Sequence, residues 1–297
     1  MRFFGKKEDV ARIYEGLSSS QVKQLKKTGV HEWFAQGSPI FRKGQTAKEL
    51  YIIVDGAVQI VDDTVTPPQE IAVLHQGELF GELSLSAKAP TRRGAAPSLR
   101  RSASAVAAED TTVFVVEEEM FRELLDRHAG TASKLLMNLF RITSERLREA
   151  LRDKLLAEGI SPPKLLKGLK DSEKRTLLKF SEVTRAPKGQ PVFLEGELGT
   201  ELYCVLSGAV AIMKREGRQQ KRVAVMGEGD IFGELGLATK KGRTASVVAM
   251  SDSELLVMDE KGLLKLGKRH PEVGIKLFLN LFRIVTTRMR SLISPLI

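Results

Sequence analysis

From Trp33 to Leu85 the chain is a succession of short apolar runs: Pro39-Ile40-Phe41, Leu50 to Val54, Ala57 to Val61, Ile71 to Leu74 and Leu79-Phe80. Gly37, Gly44, Gly56 and Gly77 separate them. Runs this short, broken by glycine, predict strands joined by tight turns, and they leave no room for crossover helices between parallel strands. Strands resume from Val106 to Val116. A second block has the same rhythm: Val192-Phe193, Tyr203 to Leu206, Ala209 to Met213, Val223 to Met226 and Val247 to Met258. Each block predicts a β-roll or jelly-roll barrel.

After each block the apolar spacing changes to alternating threes and fours. Leu136, Phe140, Thr143, Leu147 and Leu151 follow the first, and Phe278, Phe282, Val285, Met289 and Leu292 follow the second. That spacing predicts a long helix with an apolar seam, suited to packing on its own barrel or to pairing with another helix. Residues 8–29 predict a helical opening segment, with Ser18-Ser19-Ser20 as the cap before Val22 and Leu25. Pro162-Pro163 ends the first long helix near Ile160, which divides the chain into domains 1–160 and 161–297.

The two blocks are copies. Glu234 minus Glu82 is 152, and the same offset aligns Gly37 with Gly189, Phe41 with Phe193, Tyr51 with Tyr203, Gly56 with Gly208 and Gly77 with Gly229. Arg243 minus Arg101 is 142, and this second offset aligns Asp110 with Asp252 and Asn138-Leu139-Phe140-Arg141 with Asn280-Leu281-Phe282-Arg283. The difference, ten residues, is an insertion in the first copy around 87–100.

Between the two offsets lies the stretch that carries chemistry. In the second copy Gly233 permits a tight turn, Glu234 opens a short apolar run (Leu235, Leu237, Ala238) suited to one helical turn, and Arg243 follows a Lys-Lys-Gly loop. Backbone N–H groups at a helix start attract an anion, and arginine can place two donors on phosphate oxygens. A glutamate only accepts, so it suits a sugar hydroxyl. One guanidinium and one carboxylate so placed predict a pocket for a nucleotide.

The F-G-E-L-x-L and R-T-A-S-V motifs at Phe232–Leu237 and Arg243–Val247 resemble the phosphate-binding cassette of cyclic nucleotide-binding domains. That family includes the catabolite activator protein and the regulatory subunits of protein kinase A. The resemblance runs over residues 11–155 and 163–293. It implies that Glu234 holds the ribose 2′-hydroxyl and Arg243 the exocyclic phosphate oxygens, with Phe232, Gly233, Leu235, Thr244 and Ala245 around them. In the first copy Phe80, Gly81, Glu82, Leu83, Arg101, Ser102 and Ala103 take the same places. It further implies a sensor that binds a 3′,5′-cyclic purine nucleotide and signals to a protein partner. Thr244 leaves cyclic GMP open, whereas the Arg-Ser-Ala and Arg-Thr-Ala triplets resemble members that take cyclic AMP. A base-capping residue is expected from the last helix, with Thr286 and Thr287 as candidates.

From Ser84 to Ala108 there is no acidic residue, while Lys88, Arg92, Arg93, Arg100 and Arg101 are basic. This segment is expected to be a solvated loop, or else to admit a more highly charged ligand such as a cyclic dinucleotide through Arg92, Arg93 and Arg100. A tandem-barrel scaffold without ligand is the remaining alternative.

Composition adds limits. Across 297 residues, 42% apolar content fills two cores, and no run approaches the ~18 residues of a bilayer span. With the charged N-terminus and the single Cys204, this gives a cytoplasmic expectation and no disulfide within the chain. The net charge of +10 invites nucleic acid, but the basic residues are spread over both copies and aromatics are only 6%. After Ile293 four residues remain, so no DNA-reading helix pair and no specific DNA contact is expected. His31, His75, His128 and His270 show no ligand spacing, and no metal, cofactor or catalytic group is expected.

Overall fold

The computed structural model describes residues 12–82, 100–151, 164–217 and 219–293. It packs as two compact units that divide between Leu139 and Phe140. The Pro162-Pro163 boundary lies outside the described residues.

The first unit opens with a 3-10 turn at Arg12–Tyr14 and helix α1 (Ser19–Lys26). Ser18 caps α1 through a capping box with Gln21, which satisfies donors that a helix start leaves unpaired. The opening segment is therefore less helical than its spacing suggests. Gly29–Phe34 is instead strand β1, an edge strand against β8 (Thr111–Glu117) in antiparallel register. Its four central residues, Val30 to Trp33, are exposed, so it carries no alternating apolar pattern to mark it as a strand.

Between these come β2 (Pro39–Phe41), β3 (Glu49–Asp55), β4 (Ala57–Asp62), β5 (Gln69–His75), β6 (Leu79–Phe80) and β7 (Ser104–Ala107). They form two four-stranded antiparallel sheets, ordered β1-β8-β3-β6 and β2-β7-β4-β5. Tyr51, Ile53, Val58, Phe80, Val113 and Val115 fill the space between the sheets. Helices α2 (Glu118–Arg127) and α3 (Ala129–Ala150) follow.

The second unit begins with the C-terminal half of α3. It continues through α4 (Asp171–Leu178), β9 (Glu182–Ala186), β10 (Pro191–Phe193), β11 (Glu201–Ser207), β12 (Val210–Glu216), β13 (Gln219–Met226) and β14 (Ile231–Phe232). Helix α5 (Glu234–Thr239), β15 (Ser246–Ala249), β16 (Ser253–Asp259), α6 (Glu260–Arg269) and α7 (Pro271–Ile293) complete it. The sheets are ordered β14-β11-β16-β9 and β10-β15-β12-β13, the same pairing scheme as in the first unit. Like β1, the strand β9 is exposed along its first four residues and went unmarked by pattern. The fold is mainly β, with two tandem jelly-roll barrels and long helices behind them.

The repeated Asn has a structural cause. Asn138 Nδ2 donates to the Ile13 and Glu15 carbonyls at 2.9 and 2.8 Å, and Asn280 Nδ2 donates to those of Leu165 and Lys167 at 2.7 and 2.9 Å. Each buried amide thus ties its barrel's opening segment to its long helix, satisfying carbonyls that would otherwise be stranded away from water.

Candidate functional site

In the second unit the chain turns sharply at Gly233, whose φ is 78°. A Cβ there would lie 2.8 Å from both Arg243 Nη1 and the Glu201 carbonyl oxygen, so glycine is required for space as well as for conformation. Glu234 follows as the first residue of α5. Arg243 returns from the loop before β15, and its guanidinium is almost wholly enclosed, with 3% of the side chain exposed.

The guanidinium is held by carbonyls, a carboxylate and two aromatic rings. Arg243 Nη1 donates to the Glu201 and Gly233 carbonyls at 2.8 and 3.0 Å, and Nη2 donates to Glu201 Oε2 at 2.9 Å. Its carbon centre lies 4.2 Å from the Phe193 ring centre and 5.6 Å from that of Tyr203. The aromatic faces and the single carboxylate stabilise a cation held away from water. Phe193 stands on β10 and Tyr203 on β11, so the first strands of the barrel build the arginine's bed.

The backbone around Arg243 is held at three consecutive carbonyls. Arg148 Nη2 donates to Gly242 O at 2.6 Å, Gly196 N to Arg243 O at 2.9 Å, and Lys214 Nζ to Thr244 O at 2.7 Å. Lys214 in turn pairs with Glu195 Oε1 at 2.7 Å. That pairing, with the Arg215 N–H, holds the Glu195 carboxyl below its ordinary range despite the opposing effect of burial.

Glu234 is paired too. Arg288 of α7 places Nη1 on Glu234 Oε1 and Nη2 on Ile231 O at 2.8 Å, and both side chains of the ion pair are 6% exposed. The Nε of Arg288 is buried without a hydrogen-bond partner. Arg288 belongs to the site by geometry, yet nothing in its sequence neighbourhood sets it apart from Arg283 or Arg290. Thr286 and Thr287 spend their hydroxyls on the Arg283 carbonyl, as helix back-bonds, and neither lines the cavity.

Phe232, Gly233, Glu234, Leu235, Arg243, Thr244 and Ala245 all line one cavity of about 820 Å³, measured with its open mouth. Ile212, Val223, Met226 and Val247 stand on its apolar side, and Arg288 and Leu151 are also among its lining residues.

The first unit repeats the central geometry. Gly81 has a φ of 77°, and an added Cβ would meet Arg101 Nη1 at 2.7 Å. Arg101 has 3% of its side chain exposed. It donates from Nη2 to Glu49 Oε2 at 2.7 Å and from Nη1 to Glu49 O at 2.9 Å, under a Phe41 ring 4.1 Å away. Burial draws its pKa down, while Tyr51 and Glu49 oppose that shift. Phe80 and Glu82 are buried beside it, as is Ala103, and Ser102 is half-buried. Arg100 is directed to the Gly44 carbonyl at 2.8 Å. Leu83, Arg92 and Arg93 lie outside the described residues, so the insertion has no structural account.

Among the described residues no cluster of His, Cys, Asp and Glu is arranged to hold a metal ion, and no helix is long and apolar enough to cross a membrane. Burial pushes the Cys204 thiol up to about 12, which fits a core residue and not a reactive one.

Comparison with known proteins shows the family of the chain. The family profile "Cyclic nucleotide-binding domain" matches residues 31–128 and again 183–270. The chain is 35% identical over 128 residues to the cyclic AMP receptor protein of Thermus thermophilus, covering 43% of this chain and 57% of that one. It is 23% identical over 254 residues to a cAMP-dependent protein kinase regulatory subunit of Mucor circinelloides f. lusitanicus, covering 86% of this chain and 52% of that one. The chain thus spans about half the length of the curated relatives it matches. Among solved structures, the regulatory domain of Toxoplasma gondii PKA with cAMP is 18% identical at a TM-score of 0.35, covering 88% of each chain. The Thermus thermophilus catabolite activator protein is 37% identical at a TM-score of 0.36, covering 38% of this chain and 54% of that one.

Proposed function

The chain belongs to the cyclic nucleotide-binding domain family, a family of regulatory ligand-binding modules, and on that premise we propose that it is a two-site sensor of a 3′,5′-cyclic purine nucleotide. We take cyclic AMP to be favoured over cyclic GMP, and the output to be a contact with a protein partner. The observation that carries this reading is the placement of Arg243 and Glu234, both about 95% buried, in the lining of one cavity with an apolar wall. A cyclic phosphate brings one negative charge to Arg243 in a site largely screened from water, where charge-assisted hydrogen bonds are strong. Glu234 offers acceptors to the ribose 2′-hydroxyl.

Both charged groups already have protein partners, so ligand binding is an exchange. The phosphate competes with Glu201 for Arg243, and the ribose competes with Arg288 for Glu234. Because Arg288 lies on α7, relief of its ion pair alters how that helix is held, and a ligand favouring one arrangement shifts the population toward it. Thus one binding event at the cassette is linked to a helix that can report it.

Calorimetric titration of the parent, Arg101→Ala and Arg243→Ala proteins with cyclic AMP and cyclic GMP tests the reading. Truncating a buried, charge-paired arginine costs on the order of 2 to 5 kcal/mol, so each variant should weaken its own site by roughly thirtyfold or more. Unchanged affinity of Arg243→Ala for every cyclic nucleotide would falsify the assignment. Tighter binding of cyclic GMP by the parent would overturn the base preference alone.

A further inference from the structure

The ligand cavity of the second unit is lined by one residue from outside its own barrel and closing helices. Leu151 directly follows α3, the helix that comes after the first barrel in the chain. The preceding turn of α3 holds the cassette itself. Arg148 donates from Nη2 to Gly242 O at 2.6 Å and from Nη1 to Thr239 Oγ1 at 3.3 Å, which places its guanidinium between the end of α5 and the residue before Arg243. Thr239 Oγ1 also donates to Leu235 O at 2.6 Å, so this anchor reaches back to the cavity wall. About two turns earlier on the helix, Arg141 pairs with Glu260, which also receives Lys240 Nζ at 3.0 Å at the left-handed end of α5. Arg141, Arg148 and Leu151 are spaced seven and three apart and therefore share one face of the helix.

We propose that the end of α3 is part of the second nucleotide site: Arg148 positions Arg243 for phosphate through the Gly242 carbonyl, and Leu151 is the apolar residue against which the base packs. The proposal rests on the cyclic nucleotide reading above. It follows from what the cavity leaves over. With phosphate at Arg243 and ribose at Glu234, the base must occupy the remaining apolar part, whose barrel side is Ile212, Val223 and Met226. Leu151 lies in that lining from outside the barrel, whereas Thr286 and Thr287 are absent from it. Arg288, the other residue supplied by a long helix, is committed to Glu234.

The second site is accordingly incomplete without the segment 141–151. Arg148 is a positioning residue, since it holds the end of α5 and the loop that carries Arg243 and does not itself line the cavity. Leu151 is a specificity residue, since it touches the part of the ligand that distinguishes one nucleotide from another.

The test uses the full chain carrying Arg101→Ala, so that the second site alone reports. Two probes are titrated: cyclic AMP, and methyl riboside 3′,5′-cyclic phosphate, which keeps phosphate and ribose hydroxyl but has no base. Leu151→Ala should weaken cyclic AMP by about tenfold, from loss of a few methylene-sized contacts, and leave the base-free probe unchanged. Leu151→Met, which conserves volume, should retain cyclic AMP affinity. Arg148→Ala should weaken both probes by a similar factor of about ten, and Arg148→Lys, which can still donate to Gly242 O, should recover part of it. Equal weakening of both probes by Leu151→Ala, or no weakening of either, would overturn the base-packing role. Arg148→Ala with unchanged affinities would overturn the positioning role. If Arg243→Ala in the same background also left cyclic AMP unaffected, the cyclic nucleotide reading itself would be what failed.

Discussion

Replacing either member of the Glu234–Arg288 pair leaves a buried charge without its counter-ion, and the size of the loss can be worked out from the structure. Both side chains are 6% exposed, so solvent screens the remaining ion very little. Removing one partner of such a pair costs about 3 to 5 kcal/mol, whereas replacing both with uncharged groups of similar volume is often nearly neutral. Glu234→Gln preserves shape and strands the Arg288 guanidinium; Arg288→Met strands the Glu234 carboxylate. Each single variant should lose about 3 kcal/mol. In a unit of this size that corresponds to a fall in Tm of about 6 to 12 °C. The double variant should lose no more than either single one, which gives a coupling energy of about 3 kcal/mol in a double-mutant cycle. Thermal and urea unfolding of the four proteins without nucleotide are the measurement. Additive losses, or single variants that melt within 2 °C of the parent, would refute the argument that this pair is a closed, mutually dependent unit.

Two further predictions follow from burial and backbone geometry. The Tyr51 hydroxyl is pushed up to about 12 chiefly by burial, and the Cys204 thiol to about 12 by the same cause, from unfolded values near 10 and 9. Folding therefore favours both neutral forms, so their contribution is fully present below about pH 9 and is lost as pH rises to 12. Tyr51→Phe with Cys204→Val should flatten the fall of Tm between pH 9 and 12, and a slope identical to the parent's would count against it. At Gly233 an alanine must adopt a φ of 78° with its Cβ 2.8 Å from Arg243 Nη1. The backbone alone costs about 1 to 2 kcal/mol, and displacement of Arg243 should weaken nucleotide as severely as Arg243→Ala; retention of parental affinity in calorimetry would show that the turn is not what seats the arginine.

Much of the molecule was legible along the chain because it is written twice. The glycine-broken apolar runs mark the barrel strands, since a strand buried on one face must show its pattern locally. The two constant offsets aligned Gly81 with Gly233 and Glu82 with Glu234, and Arg101 with Arg243, and the structure places these at matching turns and cation beds. The exposed edge strands β1 and β9 escaped because an edge with few buried side chains has no pattern to read.

What the tertiary structure alone decided is the company each charge keeps. The offset of 152 sets Lys43 opposite Glu195 and Asp62 opposite Lys214, four residues of no evident connection. Folded, they form the same ion pair with the signs exchanged, at 3.0 Å in the first unit and 2.7 Å in the second. Glu201 under Arg243, Arg288 on Glu234, and Arg148 on the Gly242 carbonyl are separated from their partners by 42, 54 and 94 positions. An ion pair needs only that two groups meet within about 4 Å, and it imposes no periodicity on the sequence between them. The sequence therefore determined the repeat, the strands with a buried face and the positions of the paired glutamates and arginines, through local patterns that propensity and burial enforce. Which distant cations and carboxylates close around those anchors depends on how the chain returns through space, and that was settled only by the packing of the barrels and their helices.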